Sequence, residues 1–213
     1  MARPREFDEA VVLDAAIQCF WTKGFEATSM RDLIDVMGIT GASLYNAFGD
    51  KRALYRRALT HYLESTFGER VARLESTAPP RQAIELFFGE IIDRSMTDAQ
   101  HRGCLMVNSA LEAASRDPES QAIVDDFLCR AEQFFRRCVE AGQQNGSISR
   151  SQTVEDLARF LLSLLLGIRV LARAKAPRAM MESVIRPAFA LLDSDVPDGA
   201  MAPPQPLILE SQR

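Results

Sequence analysis

Hydrophobic residues recur every three to four positions along nearly the whole chain, which is the period of an amphipathic α-helix. The breaks between periodic segments contain Gly or Pro, as at Gly24, Gly38, 78–80 and 145–147. We find no segment with the strict alternation of polar and apolar residues that is typical of a half-buried strand. The pattern predicts an all-α fold with helices at about residues 8–23, 29–37, 40–48, 51–74, 81–95, 104–115, 118–142, 153–174 and 177–192.

Two short amphipathic segments within residues 28–48 have the layout of a helix-turn-helix. Ser29 is a favourable N-cap, and Asp32 lies three residues later, at the spacing of a capping box. Gly38 follows the last apolar residue of the first helix, where a left-handed backbone ends a helix. Thr40 supplies a hydroxyl cap for the second. Such a pair places its second helix in the major groove of DNA; the alternative is an ordinary helical hairpin in an all-α core.

Small polar groups form the outer surface and the first turn of this second helix, while Leu44 and Phe48 point inward. Hydroxyl and amide groups can contact phosphates or base edges, and an alanine methyl can pack on a thymine methyl. The candidate DNA contacts here are Thr40, Gly41, Ala42, Ser43, Tyr45 and Asn46.

The charge of the chain limits how it can bind nucleic acid. The chain has 213 residues, a formal net charge of −4 and a hydrophobic fraction of 47%, which permits a sizeable core. An acidic total argues against a general nucleic-acid coat but not against a basic head on an acidic body. Basic clusters are either phosphate contacts or solvated helix faces. The candidates are Lys51, Arg52, Arg56 and Arg57, with Arg3 and Arg5 before the first helix.

Several features favour a cytoplasmic protein without a membrane segment. The first ten residues are charged and lack an apolar core, so we expect no signal peptide. The longest apolar run, 160–172, is too short to span a bilayer. The four cysteines show no CxxC spacing and the two histidines are isolated, which predicts reduced thiols, no metal and no cofactor.

Residues 15–59 resemble the head of the TetR/AcrR family of transcriptional regulators. The resemblance implies a helix-turn-helix DNA-binding domain at 1–50, with the fourth helix connecting from about 51, and a ligand-binding and dimerisation domain at 51–193. A Pro-rich tail at 194–213 follows, which we expect to be disordered. The residues that match the family pattern are Phe20, Gly24, Phe25, Thr28, Leu44, Tyr45, Phe48 and Lys51.

The same resemblance implies roles for single residues. Thr28 would touch a phosphate, Lys51 would clamp one at the start of the fourth helix, and Tyr45 and Asn46 would reach backbone or bases. This chain departs from many relatives at Gly41, where they carry a longer or basic side chain. Because the second helix of the pair holds no Arg or Lys, bidentate guanine reading from it is not expected.

The segment 157–172 is apolar around nearly its whole circumference, so it should be buried on all sides. Part of it could face a partner subunit in a homodimer, and a two-fold dimer predicts a palindromic operator. The alternative is a central core helix in a monomer. The candidate dimerisation residues are Leu157, Leu161, Leu164, Leu165, Ile168, Leu171, Ile185 and Phe189.

Aromatic side chains of the body suit a pocket for a small, largely apolar effector, although most could be plain core. Cys104 begins a helix and follows Arg102, so its thiol could instead sense an electrophile. A DNA-bound adaptor whose body recruits a protein is a further alternative, and no catalytic constellation indicates an enzyme. The candidate ligand residues are Phe67, Phe87, Phe88, Ile91, Cys104, Phe127, Phe134 and Phe160.

Overall fold

The computed structural model describes residues 7–112 and 117–193, and within these ranges it contains helices and no strand. The all-α prediction is therefore confirmed. Arg3, Arg5 and the tail from residue 194 lie outside the described residues. The α-helices are α1 (Glu9–Lys23), α2 (Met30–Met37), α3 (Gly41–Phe48), α4 (Lys51–Tyr62), α5 (Glu69–Thr77), α6 (Pro80–Thr97), α7 (Leu105–Glu112), α8 (Pro118–Asn145), α9 (Val154–Arg173) and α10 (Arg178–Leu192).

The predicted caps fix the helices of the N-terminal head. Ser29 accepts a hydrogen bond from the Asp32 amide (3.1 Å), and the Asp32 carboxylate accepts one from the Ser29 amide (2.9 Å), which completes the capping box. Gly38 ends α2 in the left-handed conformation at φ 64°. The side chains of Thr40 and Asp50 cap α3 and α4.

The predicted fourth helix is interrupted by a π-helical segment, Leu63–Gly68, that joins α4 to α5. Buried apolar residues occur there at Leu59, Leu63, Phe67 and Val71, in repeated steps of four. An α-helix turns through 3.6 residues, so such a series drifts around it, and a wider turn keeps the residues on one side. The steps of four are the sequence signal for this segment, which the prediction of a single helix over about 51–74 did not include.

The head and the body share one continuous hydrophobic core, and contacts of α1 and α4 join them. The Trp21 ring meets Tyr62 edge-on at 5.2 Å, and its indole N–H donates to the Arg102 carbonyl at 3.2 Å. The hydroxyls of Tyr55 and Ser109 lie 2.7 Å apart. Because α4 packs against α1 as well as α7 and α8, the domain boundary at residue 50 stays a prediction.

Among the described residues, we find no helix that is both long enough and apolar enough to cross a bilayer. Helix α9, which contains the longest apolar run of the sequence, packs against α6, α7, α8 and α10. The apolar residues on the inner side of α9 therefore belong to the core of the body, which is continuous with that of the head.

Candidate DNA-binding surface

Helix α3 presents the predicted polar residues on the outside of the head. Leu44 and Phe48 are buried and anchor the helix, whereas Tyr45 is 55% exposed. Ala42 and Asn46 are exposed beside it. Two anchors four residues apart hold one side of α3 on the core, so the opposite side is free to enter a groove.

The first turn of α3 is held in a fixed geometry by hydroxyl groups. The Thr40 hydroxyl donates to the Ser43 hydroxyl oxygen (2.9 Å) and accepts from the Ser43 amide (3.1 Å). The Ser43 hydroxyl keeps its own hydrogen for an outside acceptor. At Gly41 a Cβ would lie 3.3 Å from Ile34 Cδ1, so the missing side chain lets α2 and α3 approach closely. The helix end therefore offers backbone and small polar groups to a ligand.

Thr28 and Lys51 do not have the expected geometry for phosphate contacts. The Thr28 side chain is buried, and its hydroxyl donates to the Gly24 carbonyl at 2.6 Å. The Lys51 ammonium donates to the carbonyls of Phe25 and Thr28, each at 2.8 Å, and lies 4.4 Å from the centre of the Phe25 ring. Unpaired carbonyls of the turn before α2 need donors, so these side chains stabilise that turn.

The basic segment at the start of α4 is also largely engaged within the protein. Arg56 pairs with Glu119 at 2.8 Å, and Arg57 pairs with Glu9 and lies 4.9 Å from the centre of the Phe48 ring. Arg52 is exposed and, among the described residues, has no ion pair.

Arg31 is a candidate that the sequence reasoning missed. It lies in the first turn of α2, is exposed, and makes no ion pair within the described ranges. A basic residue two positions after the Ser29 cap was the available signal. Arg31 and Arg52 are therefore the better placed cations for phosphate contacts.

Comparisons with known proteins agree with this geometry. A family model described as bacterial regulatory proteins of the tetR family matches residues 12–58, and one described as a tetracyclin repressor-like C-terminal domain matches 80–188. An uncharacterised HTH-type transcriptional regulator, YezE of Bacillus subtilis (strain 168), is 30% identical over 91% of this chain and 100% of its own length. The chain belongs to the TetR family.

Relatives within the TetR family include proteins of known role and structure. The HTH-type transcriptional repressor ComR of Escherichia coli (strain K12) is 29% identical over 82% of this chain and 83% of its own length. A solved structure of the TetR family regulator CifR, a cysteine mutant complexed with double-stranded operator DNA, is 33% identical. It covers 88% of this chain and 98% of that chain with a TM-score of 0.74. This chain is thus a DNA-binding transcriptional regulator and not an enzyme.

The aromatic residues proposed for a ligand pocket fill the core of this TetR-family body. Phe87 meets Phe134 at 5.1 Å, and Phe67 meets Phe127 at 5.4 Å. Phe88 and Ile91 are fully buried, so an apolar ligand among these residues would have to displace packed rings. Phe160 is 40% exposed on the outer side of α9 and is not part of this packed core, so its ligand-binding role stays a prediction.

Most of the predicted dimerisation residues are in the protomer's own core, because the inner side of α9 packs on α6 and α8. Side chains buried within one chain offer little surface to another, so the dimerisation role of these residues stays a prediction that their burial does not support. Leu171 and Phe189 are only half-buried. The residues buried in the protomer are Leu157, Leu161, Leu164, Leu165, Ile168 and Ile185.

Cys104 is buried beneath the junction of head and body, and the Tyr62 hydroxyl donates to its sulfur at 4.0 Å. Arg102, expected to activate the thiol, bonds instead to Asp98 at 3.0 Å and to Gln18. Burial, together with the nearby thiol, raises the pKa of Tyr62 above its ordinary value. Cysteine, histidine and acidic residues in the described ranges form no group that could hold a metal ion.

Proposed function

We propose that this protein is a homodimeric repressor in the cytoplasm that places α3 of each subunit in the major groove of a palindromic operator. The outward polar surface of α3, in a fold similar to that of CifR bound to operator DNA, is the observation that carries this proposal. The related repressor ComR supports repression as the direction of regulation.

Sequence reading in this proposal depends on small groups. Asn46 is the exposed amide on α3, and an amide can bond to an adenine edge, while Ala42 offers a methyl to a thymine. Arg31 and Arg52 would contact phosphates on either side, since both are exposed. Without a long basic side chain on α3, DNA shape would contribute a large part of the specificity.

Dimerisation is proposed to use the outer side of α9 and α10. Apolar side chains remain exposed there: Phe160 at 40%, Val170 at 51%, Met180 at 47% and Val184 at 37%. At Gly167, between the first two, an added Cβ would have no described atom within 4 Å. An exposed apolar stripe with a small residue at its centre suits close packing of a second copy in a helical bundle.

Effector binding in the body is proposed to release the operator by a population shift. The released arrangement of the heads must bind the effector more tightly than the DNA-bound arrangement does. The contacts between α1 and the body provide a mechanical route for this coupling, because Trp21 touches both Tyr62 and the Arg102 carbonyl.

The test is operator binding by variants of α3, measured by fluorescence anisotropy on a DNA fragment that the wild-type protein selects. Asn46→Ala should weaken binding by about 1–3 kcal/mol and reduce discrimination at one base pair of each half-site. Gln144→Ala removes an exposed amide near the C-terminal end of α8, in the body, and is the control. Unchanged operator binding by both Asn46→Ala and Tyr45→Ala would contradict the assignment of α3 as the reading helix.

A further inference from the structure

A cleft of about 380 Å³ opens at the junction of the head and the body. Its walls come from α1, the last turns of α6, the loop at 98–103 and α9. It is separate from the aromatic core, and it was not among the predicted ligand sites. A volume of this order matches a small organic molecule.

Arg169 projects from α9 into this cleft without a partner. Its side chain belongs to a residue that is only 8% exposed, and its Nε has no hydrogen-bond acceptor. No carboxylate in the described ranges forms an ion pair with it. An unpaired charge that is removed from water is costly, and native proteins compensate such charges. An anion in the cleft would supply the missing acceptor.

A second cation, Arg94, lines the same cleft from α6 and likewise has no ion pair in the part of the chain that the structure describes. Burial lowers the pKa of the neighbouring Arg70, and the charges of Arg169 and Arg94 lower it further. The three guanidinium groups therefore share one positive region. Glu90 pairs with Arg70 at 3.1 Å, and within the described residues it forms no ion pair with Arg169 or Arg94.

Carboxylates on the cleft wall do not offset this charge. Asp98 is the acidic residue in the lining, and it is held by Arg102, whose Nη2 lies 3.0 Å from it. His101, at φ 50°, also lines the cleft, and its buried Nδ1 has no hydrogen-bond partner. The cleft thus contains two unpaired guanidinium groups and an unused imidazole nitrogen, which is a donor set suited to an oxyanion.

We infer that the cleft is the effector site and that it binds the carboxylate or phosphate group of a small organic anion through Arg169 and Arg94. This inference rests on the proposed function and deepens it, because it names the chemical class of the effector. It replaces the apolar effector expected from the sequence.

The cleft is positioned to transmit binding to the head. Arg102, in its loop, contacts α1 at three points. The Arg102 carbonyl accepts from Trp21, the guanidinium lies 4.4 Å from the centre of the Trp21 ring, and the guanidinium also donates to Gln18. On the other side, a Cβ at Gly103 would lie 3.1 Å from Arg173 Cβ and 3.4 Å from the Arg169 carbonyl. An anion that draws Arg169 and Arg94 together would therefore shift a loop that contacts both α9 and α1.

The test is calorimetric titration of the full chain, without DNA, with sodium phosphate and sodium benzoate at constant ionic strength. Saturable binding of at least one probe is expected, weakened at least tenfold in Arg169→Met and in Arg94→Met. Arg159→Met removes an exposed arginine of the same helix that pairs with Glu132 and should leave binding unchanged. Absence of saturable binding, or equal weakening by all three substitutions, would overturn the inference.

Operator binding measured separately, without added anion, distinguishes this inference from the proposed function. If the operator binds while no probe does, the anion site is wrong and the regulator stands. If a probe binds through Arg169 while no operator binds, the anion site stands and the DNA-binding proposal fails. When both bind, the probe should weaken operator binding in the wild type and not in Arg169→Met.

Discussion

The head and the body of this protein distribute their polar groups in opposite ways. In the head, the half-buried cation Lys51 donates hydrogen bonds to backbone carbonyls, and the small polar groups of α3 face outward. In the body, Arg169 is buried without a partner while an apolar stripe is exposed. The internal hydrogen bonds of the head hold α3 in a fixed position, in which its outer polar groups can contact an external target. The unpaired charge and the exposed apolar surface of the body instead support the proposed binding of a ligand and of a second subunit.

The largest expected effect on stability comes from comparing a buried phenylalanine of the body with an exposed one. Phe134→Ala should lower the free energy of unfolding by about 3–5 kcal/mol, because Phe134 is fully buried against Phe87 and Phe135. Phe160→Ala, the matched change on the exposed stripe, should cost much less in stability at high protein concentration and should weaken self-association. Urea unfolding and sedimentation velocity measure the two quantities. A loss of equal size in both variants, with unchanged association, would contradict the distinction.

An effect of intermediate size is expected when a cation that bonds within the head is compared with one proposed to contact DNA. Lys51→Met should reduce the free energy of unfolding by about 2 kcal/mol, since it removes charged donors from the carbonyls before α2. Arg52→Met should leave stability unchanged and lower the salt dependence of operator binding by about one phosphate contact. Chemical unfolding and anisotropy at several salt concentrations test the pair. The reverse pattern would restore Lys51 as the phosphate contact.

The smallest effect concerns acid stability of the capping box. The Lys23 ammonium at 2.6 Å, together with Ser29, holds the pKa of Asp32 below its usual range. The resulting stabilisation is fully present above the unfolded value of about 3.9 and is lost as the pH falls through the lower folded value. The difference in unfolding free energy between the wild type and Asp32→Asn should therefore be constant near neutral pH. It should become smaller as the pH falls into the acid range. Asp35→Asn is the control, and a difference that grows in acid would contradict the assignment.

The features of the head that sequence predicts are local. A cap and its partner are three residues apart, as in Ser29 and Asp32, and a helix stop such as Gly38 needs no distant contact. The hydrogen bonds of Thr28 and Lys51 could not be predicted in this way, because their partners come from the turn between α1 and α2. Sequence spacing identified which residues matter there but not which atoms they bond.

The features of the body that sequence does not predict come from long-range packing. Periodicity located α9 and its apolar character, but which side faces the protomer core depends on how α6 and α8 pack on it. The proximity of Arg94 and Arg169, 75 positions apart in the sequence, likewise follows from the packing of α6 against α9. No local pattern indicates that two such charges share one cleft.

Selection of genomic DNA fragments on the purified protein at defined salt, followed by sequencing, tests the central claim most directly. If α3 of each subunit reads a half-site, one palindromic motif should be enriched, with half-sites about one helical turn apart. Binding that weakens with salt but enriches no motif, or no binding at all, would contradict the account of this protein as an operator-specific regulator.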